Sequence, residues 1–297
     1  MFRHRCFFKS GGLFLLLGTL LPALARAAET EHETLSLKPA PLFQIGNFTV
    51  TNSMLVSWIV AAAVILFAQI ATRNIKTVPG GAQNFWEWLV ESLYNFLESI
   101  IGSALVKKTF WFFATIFIFI LFTNWAGLVP GVGTIGWGHP DQATGVFHVD
   151  RPLLRGGNAD LNMTSAMALI FFALWIIWAF QANGVGGFLK HIFAPKGEMT
   201  GPLKFVMFVI FFVVGLLEVI SILFRPVSLS FRLFGNIYAG EVMLESMAKL
   251  VPALSWLLPI PFYFMELLVG FIQALVFMLL TAVFTMLIMP HEEGHAH

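Results

Sequence analysis

The sequence predicts an all-α polytopic membrane protein, and its composition and its apolar runs are the observations behind this prediction. Hydrophobic residues make up 58% of the 297-residue chain and charged residues only 11%, against about 25% charged residues in a typical soluble domain. Several apolar runs reach about 18 residues or more, the length at which a helix crosses the hydrocarbon core of a bilayer. We therefore expect about five membrane-embedded helices, and the net charge of +1 gives no indication of a nucleic-acid partner.

The N-terminal segment, residues 1–27, has the pattern of a secretory signal peptide. Three basic residues precede an apolar stretch over residues 11–24, and the next three residues read Ala-Arg-Ala, which is typical of a cleavage site. We expect cleavage after Ala27. An uncleaved first span is the alternative, although Pro22 interrupts the short apolar run. Cys6, the single cysteine, lies in this segment, so we expect no disulfide and no thiolate metal site in the mature chain.

Five apolar segments follow a tail that we expect outside the membrane at residues 28–53. We place the membrane domain at residues 54–289 and a short cytoplasmic tail at residues 290–297. The spans are predicted at residues 54–71, 110–129, 163–181, 205–249 and 253–289. Residues 83–102 are less apolar and carry Trp, Tyr and Glu side chains, which is typical of an amphipathic helix at the membrane interface.

Lysine and arginine are distributed unequally between the two sides of these spans. The segments after the first and third spans hold seven of them, whereas the opposite side holds Lys38, Arg151 and Arg155. Basic residues concentrate on the cytoplasmic side of membrane proteins, so we expect the mature N-terminus outside and the C-terminus in the cytoplasm. A signal peptide requires the same orientation.

Charged residues are absent from the first three predicted spans but recur through the last two. They are Glu218, Arg225, Arg232, Glu241, Glu245, Lys249 and Glu266. A charge at the centre of a membrane helix costs about 2.5–3.5 kcal/mol on insertion scales, so such residues usually face a partner or a water-filled path. We therefore expect the N-terminal half of the protein to provide packing and the C-terminal half to handle charge.

The spacing of these residues separates the arginine from the nearest carboxylate. If residues 229–243 are helical, Arg232 and Asn236 lie at i, i+4 on one face. Glu241 follows Arg232 by nine residues, which is half a rotation away at 3.6 residues per turn. Glu241 is therefore poorly placed to neutralise Arg232 within its own helix.

Three residues of the last span share one helical face. Glu266, Gly270 and Gln273 stand at i, i+4 and i+7, and a carboxylate, a missing side chain and an amide on one stripe suit the wall of a hydrated channel. Neither Glu266 nor Glu241 has a basic residue four positions away. We expect these two carboxylates to act as a functional pair across two helices.

The run RPVSLSFRLFGNIYAGE, residues 225–241, closely resembles the signature of subunit a of the F-type ATP synthase. The resemblance extends to Glu218, to LVGFIQALVFMLLTAVF in the last span and to ADLNMTSAMAL at the start of the third span. In that family, an arginine faces an essential carboxylate on a rotating ring of c subunits. Two offset aqueous half-channels connect this contact to the two sides of the membrane.

The resemblance implies a role for each matching residue. Arg232 corresponds to the essential arginine, and Asn236 corresponds to its neighbour near the outer half-channel. Glu241 and Glu266 correspond to proton-relay groups of the outer path, where one would supply protons to the other near the outer surface. Gln273 corresponds to the polar residue near the arginine, and Glu218 corresponds to a residue towards the cytoplasmic exit. Well-known bacterial members have histidine where this chain has Glu266. The resemblance also implies that the last two helical elements form a long, strongly tilted hairpin, whereas hydropathy alone suggests upright spans.

The resemblance further implies a component of a bacterial inner-membrane complex that is not catalytic by itself. Its partners would be the c-subunit ring, the b-subunit peripheral stalk and the remaining subunits of the synthase, with no cofactor. The sequence shows no cluster of oxygen ligands suited to a hard cation. We therefore expect protons as the coupling ion, and a sodium-coupled version of the same subunit is the alternative.

Two other functional classes have weaker support. The run HEEGH at residues 291–295 matches the H-E-x-x-H motif of zinc proteases, which requires a helix, but Pro290 precedes it and Gly294 interrupts it. A solvated tail is the expected explanation, and no metal site is predicted. A secondary transporter would show repeats in the two halves of the chain, and none is visible in the hydropathy.

Some of the remaining polar and small residues have simpler structural explanations. Arg225 beside Pro226 is consistent with a side chain that snorkels to the interface, and the same explanation is the alternative for Arg232. The other residues expected to be structural are Glu245 with Lys249 as an ion pair at i, i+4, Asp160 with Asn162 as an N-terminal cap of the third span, and Gly235 and Gly240 as sites of close helix packing.

Overall fold

The structure, a computed structural model, describes residues 36, 38–129, 131–140, 147–193, 203–251 and 254–289. The predicted signal peptide and the predicted tail with its HEEGH run lie outside these residues. The long helices are α1 (Asn52–Thr72), α2 (Ala82–Ile101), α3 (Ser103–Gly127), α4 (Leu161–Phe193), α5 (Leu203–Leu250) and α6 (Pro259–Ile288). All of these except α2 are long and apolar enough to cross a membrane. The predicted fold class, an all-α polytopic membrane protein, is confirmed.

Helix α2 is the less apolar helix expected between the first two spans. Leu93, Leu97 and Ile101 follow one another at intervals of four residues and are buried, whereas Phe85 and Trp88 are exposed. This helix therefore has one side packed on the protein and another side open to its surroundings, as an interfacial amphipathic helix requires.

Helix α4 extends beyond the apolar run that predicts it. Helix α4 continues past residue 181 to Phe193, and its backbone is interrupted at Gly184, where φ is 66° and ψ is 165°. Glycine is the residue that adopts this combination without strain. Residue 190, expected in a loop, lies in the helical segment after this interruption.

Helix α5 is continuous over 48 residues with Pro226 inside it, so residues 229–243 are helical as the spacing argument assumed. A helix of this length measures about 72 Å, more than twice a hydrocarbon core of about 30 Å. It is therefore too long to stand upright within the hydrocarbon core. The shorter α6, with 30 residues, also exceeds that thickness at about 45 Å.

Helix α3 forms the centre of the bundle and contacts α1, α2 and α6, while α4 packs along α5. The burial of the most apolar stretch of each span reflects this arrangement: 61% of it is buried in α3 but only 17% in α5. Aromatic residues fill the core, with Phe112 stacked on Phe171 and in edge contact with Trp178. Much of the surface of α5 is therefore not covered by the described residues.

Two antiparallel hairpins precede α1 and α4. Strands β1 (Pro41–Ile45) and β2 (Phe48–Thr51) form the first, and β3 (Gly136–Pro140) and β4 (Phe147–Pro152) form the second. The Asn52 side chain connects them: its Oδ1 accepts the Ala40 N–H at 3.1 Å and its Nδ2 donates to the Pro152 carbonyl at 3.0 Å. The segments were predicted only as a tail and a loop, because glycine and proline mask any alternation of apolar residues.

Candidate functional site

Arg232 lies on the exposed side of α5. Leu229, Leu233 and Ile237 are buried against the bundle, whereas Arg232 is exposed. Within the described part of the chain, its side chain makes no hydrogen bond, ion pair or ring contact. A charge on a membrane helix without a partner is costly, which makes this side of α5 the first candidate for contact with another molecule.

Asn236 and Gln273 connect this side of α5 to α6. The Asn236 Nδ2 donates a hydrogen bond of 2.7 Å to the Gln273 Oε1. Gln273 is buried and Asn236 is exposed, so the pair runs from the exposed face into the bundle. The two amides, which the sequence places on different helices, are thereby brought together one helical turn from Arg232.

Glu241 contacts an arginine from outside its own helix. The Arg155 Nε lies 3.6 Å from the Glu241 Oε2, and the two side chains are only 6% and 16% exposed. The Arg155 Nη1 also donates to the Lys38 carbonyl at 3.3 Å. A Cβ atom on Gly156 would lie 2.9 Å from the Glu241 Oε1, so the loop backbone covers the carboxylate. Glu241 has no basic residue four positions away in α5, as the sequence shows, but the loop before α4 supplies Arg155 as its basic partner.

Glu266 is buried against the adjacent residue of α5. Its side chain is 5% exposed, and a Cβ atom on Gly240 would overlap its carboxylate. In the described residues, Glu266 has no hydrogen bond or ion pair. The fold therefore places Glu266 beside Gly240, the residue that directly precedes Glu241, although Glu241 and Glu266 belong to different helices.

A buried amide network adjoins these carboxylates, and it was not predicted. The Asn124 Nδ2 donates to the Gly270 carbonyl at 2.9 Å, and the Asn158 Nδ2 donates to the Asn124 Oδ1 at 2.6 Å. Gly270 lies so close that a Cβ atom on it would be 3.2 Å from the Asn124 Cβ. An asparagine inside the apolar run of the second span was the available signal, because uncharged polar residues in membrane helices also need partners.

Asp160 is the N-terminal cap of α4, as predicted. Its Oδ1 accepts the Asn162 backbone N–H at 2.9 Å. Its Oδ2 accepts the Ser53 hydroxyl at 2.6 Å from the start of α1. Because Asp160 is only 2% exposed, this carboxylate satisfies a helix end and joins two helices in the interior.

Glu218 and Arg225 lie together near the middle of α5. The Arg225 guanidinium lies 5.3 Å from the centre of the Trp175 ring and 4.6 Å from that of Phe284. Glu218 is close enough to interact with it electrostatically. The snorkelling explanation for Arg225 is therefore wrong, because its charge is held between aromatic rings of α4 and α6, a favourable cation–π arrangement.

The remaining expectations concern packing and metal. Glu245 and Lys249 form the expected ion pair at 2.8 Å, partly exposed, where such pairs contribute little. Gly240 has the expected packing role, but Gly235 does not, since a Cβ atom there meets nothing within 4 Å. The described residues contain no group of three or more His, Cys, Asp or Glu side chains that could hold a metal ion.

Comparison with known proteins identifies the family of the chain. Residues 54–286 match the family described as "ATP synthase A chain". The chain is 35% identical over 228 residues to "ATP synthase subunit a 3" of Pelobacter propionicus, covering 77% of this chain and 83% of that protein. It is 34% identical over 250 residues to "ATP synthase subunit a" of Trichlorobacter lovleyi, covering 84% and 92%.

A third relative, "ATP synthase subunit a" of Gloeobacter violaceus, is 32% identical over 255 residues, which are 85% of this chain and 90% of the relative. The family match begins inside the first apolar helix and ends inside the last one. The similarity thus covers the described helices and the polar residues between them. The chain is a multi-pass membrane protein that belongs to the ATP synthase subunit a family.

Proposed function

We propose that this chain is the stationary proton-conducting subunit of an F-type ATP synthase, with Arg232 facing an acidic residue on a rotating ring of c subunits. The observation that carries the proposal is the isolation of Arg232. It is a permanent charge on the exposed side of a membrane helix, and among the described residues it has no partner. A carboxylate on another subunit is the group that would complete this site.

The charge of Arg232 acts on the ring carboxylate in two ways. A ring carboxylate must be protonated while it faces lipid, because a bare charge there is costly. When it reaches Arg232, the guanidinium favours its charged form and therefore the release of its proton. The same fixed charge opposes a proton that would pass directly between the two half-channels, so conduction without rotation is suppressed.

Glu241, Glu266, Asn236 and Gln273 line the outer path in this proposal. The position of Glu266 beside Gly240, the residue that precedes Glu241, supports it, because carboxylates on facing stretches of α5 and α6 can pass a proton between them through water. The Asn236–Gln273 hydrogen bond continues from the carboxylates towards Arg232. Glu218, on the other side of Arg232 along α5, belongs to the cytoplasmic path.

The chain does not make ATP by itself in this proposal. One elementary charge that falls through 100 mV releases about 2.3 kcal/mol, so a rotor must sum several transfers before a separate catalytic head makes one ATP. The other partners are the b-subunit stalk and the remaining subunits, in a bacterial inner membrane. The N-terminus lies outside and the C-terminus in the cytoplasm, as the lysine and arginine distribution indicates.

The test is the replacement of Arg232 in the assembled synthase in vesicles. Arg232→Lys is expected to abolish ATP-driven proton pumping while the complex still assembles, because a lysine in an apolar site can lose its proton and guanidinium cannot. Arg232→Ala is expected to abolish pumping as well and to allow a passive proton leak. Acidification is measured with a pH-sensitive dye.

Arg151→Lys is the matched control, because Arg151 is exposed in strand β4 and the same chemical change is made away from α5. Its pumping is expected to equal that of the wild type. Robust pumping by Arg232→Lys would overturn the mechanism and leave Arg232 a structural anchor. Pumping that depends on sodium at neutral pH would overturn the choice of ion.

A further inference from the structure

We propose that Arg155 is a positioning residue of the outer path, which holds the Glu241 carboxylate in place from the loop between strand β4 and helix α4. This inference rests on the proposed function, since it assigns Glu241 to proton transfer. The site lies where this loop and the segment before the first hairpin meet α5. Arg155 is buried beside a carboxylate, whereas Arg232 is exposed.

The first supporting observation is the burial of the ion pair. Arg155 is 6% exposed and its Nε lies 3.6 Å from the Glu241 Oε2, an oxygen that is itself buried. Two opposite charges removed from water depend strongly on each other, because either one alone would be left uncompensated. The contact therefore constrains where the Glu241 carboxylate lies.

The second observation is that Arg155 is held by contacts from other parts of the chain. Its Nη1 donates to the Lys38 carbonyl, just before the first hairpin, and its guanidinium lies 5.9 Å from the centre of the Tyr238 ring. Tyr238 precedes Glu241 by three residues on α5, so arginine and carboxylate approach the same stretch of the helix. A guanidinium fixed in this way provides a rigid reference point for a flexible glutamate side chain.

The third observation concerns the other carboxylate oxygen. Gly156 lies so close to the Glu241 Oε1 that a Cβ atom on it would be 2.9 Å from that oxygen. Gly156 is itself packed against the end of α3, since a Cβ atom on Gly127 would lie 3.0 Å from the Gly156 Cα. Arg155 and Gly156 therefore approach both oxygens of Glu241 from the loop, while Glu266 lies beside the preceding residue of α5.

The consequence for proton transfer follows from charge. A deprotonated Glu241 is held by Arg155, whereas a protonated carboxyl group carries no net charge and is attracted far less. Uptake of a proton thus releases the side chain towards Glu266, and loss of the proton returns it to Arg155. In this way Arg155 restores Glu241 to the same starting position after each transfer.

The experiment compares Arg155→Gln, Arg155→Lys, Glu241→Gln and the double variant Arg155→Gln/Glu241→Gln in the complete synthase in vesicles. Misplacement of a reacting group by about 1 Å can cost about 100-fold in rate, so we expect Arg155→Gln to slow ATP-driven pumping by about 10- to 100-fold. Arg155→Lys keeps the charge but loses the fixed guanidinium, and it is expected to pump at a rate between those of Arg155→Gln and the wild type. Arg151→Gln, in exposed strand β4, is the matched control and is expected to pump normally.

The double variant distinguishes positioning from a general structural effect. If Arg155 acts through Glu241, the double variant pumps no more slowly than Glu241→Gln alone. Multiplication of the two single effects, or equal losses in Arg155→Lys and Arg155→Gln, would overturn the proposal. Wild-type pumping by Arg155→Gln would overturn it as well, whereas a wild-type complex that pumps no protons would overturn the proposed function instead.

A failure of Arg155→Gln to accumulate is also informative. It would leave Glu241 as a buried charge without its partner, and removal of both charges is expected to restore the amount of assembled complex. The amount is measured by immunoblot of purified membranes. If the double variant also fails to accumulate, Arg155 supports the fold independently of Glu241 and the proposal is wrong.

Discussion

Arg232 and Arg155 carry the same guanidinium in opposite surroundings. Arg232 is exposed on α5 and makes no hydrogen bond, ion pair or ring contact with the described residues, whereas Arg155 is 6% exposed and lies beside Glu241. Guanidinium keeps its charge in either setting. The difference between the two arginines is therefore set entirely by the residues around them.

Gly240 provides a prediction at the same scale. A methyl group there would overlap the Glu266 carboxylate, which is the mobile end of a side chain and can move away. We expect Gly240→Ala to leave assembly intact and to slow ATP-driven proton pumping by about tenfold or more, because the added methyl group displaces the Glu266 carboxylate from the stretch of α5 that carries Glu241. Dye-quench pumping and the amount of assembled complex are measured in parallel.

Gly186→Ala is the control for this substitution, since a Cβ atom on Gly186 meets nothing within 4 Å and Gly186 lies in α4, away from the two carboxylates. Its pumping is expected to equal that of the wild type. Unchanged pumping by Gly240→Ala would show that the contact between Glu266 and α5 has no part in proton entry.

At the scale of single elements, the start of α4 depends on one buried carboxylate. Asp160 caps the helix through Asn162 and accepts the Ser53 hydroxyl from α1. We expect Asp160→Ala to lower the thermal denaturation temperature of the purified protein, because loss of an N-cap costs about 1–2 kcal/mol and Ser53 also loses its partner. The measurement is a thermal unfolding scan in detergent.

Asp160→Asn is the conservative counterpart, since its amide oxygen can still cap the helix and its amide nitrogen can donate to the Ser53 hydroxyl. Its denaturation temperature is expected to lie between those of the wild type and Asp160→Ala. If the alanine variant unfolds at the wild-type temperature, these hydrogen bonds do not contribute measurably to stability.

At the scale of the whole molecule, packing and charge are divided between different parts of the chain. Helix α3 has 61% of its most apolar stretch buried and is surrounded by other helices, whereas α5 has 17% buried and carries most of the membrane charges. Helix α3 contacts α6, and α4 and α6 pack against one side of α5. The other side of α5, which carries Arg232, is exposed.

This division predicts that the outer carboxylates can be neutralised without loss of the fold. We expect Glu241→Gln combined with Glu266→Gln to slow proton entry strongly in the assembled complex while its amount stays near that of the wild type. Glutamine preserves the volume of glutamate, and its carbonyl oxygen can still accept a hydrogen bond from Arg155, but it cannot carry a proton in transfer. ATP-driven pumping and the immunoblotted amount of complex are measured together.

Glu245→Gln is the control for the double variant, because Glu245 is a partly exposed carboxylate of the same helix whose partner is Lys249. It is expected to pump normally, since exposed ion pairs contribute little. Near-normal pumping by the Glu241 and Glu266 double variant would remove both carboxylates from the proton path.

The sequence alone determined the fold class, the helical nature of residues 229–243, the cap at Asp160 and the isolation of Arg232 from Glu241 along the helix. These features depend on local composition and on the geometry of a single helix, both of which are readable from one chain. The spacing of four residues between Arg232 and Asn236 was enough to predict that they lie on the same face of one helix.

Only the tertiary structure decided which side chains meet across helices. Arg155 and Glu241 are 86 positions apart in the chain, and Asn124 and Gly270 are separated by 146. The periodicity of a helix or strand cannot predict contacts between residues so far apart in the chain, because these contacts depend on the paths of the loops and on the packing of the helices. The same reason explains why Arg225, expected to snorkel, lies instead between the rings of Trp175 and Phe284.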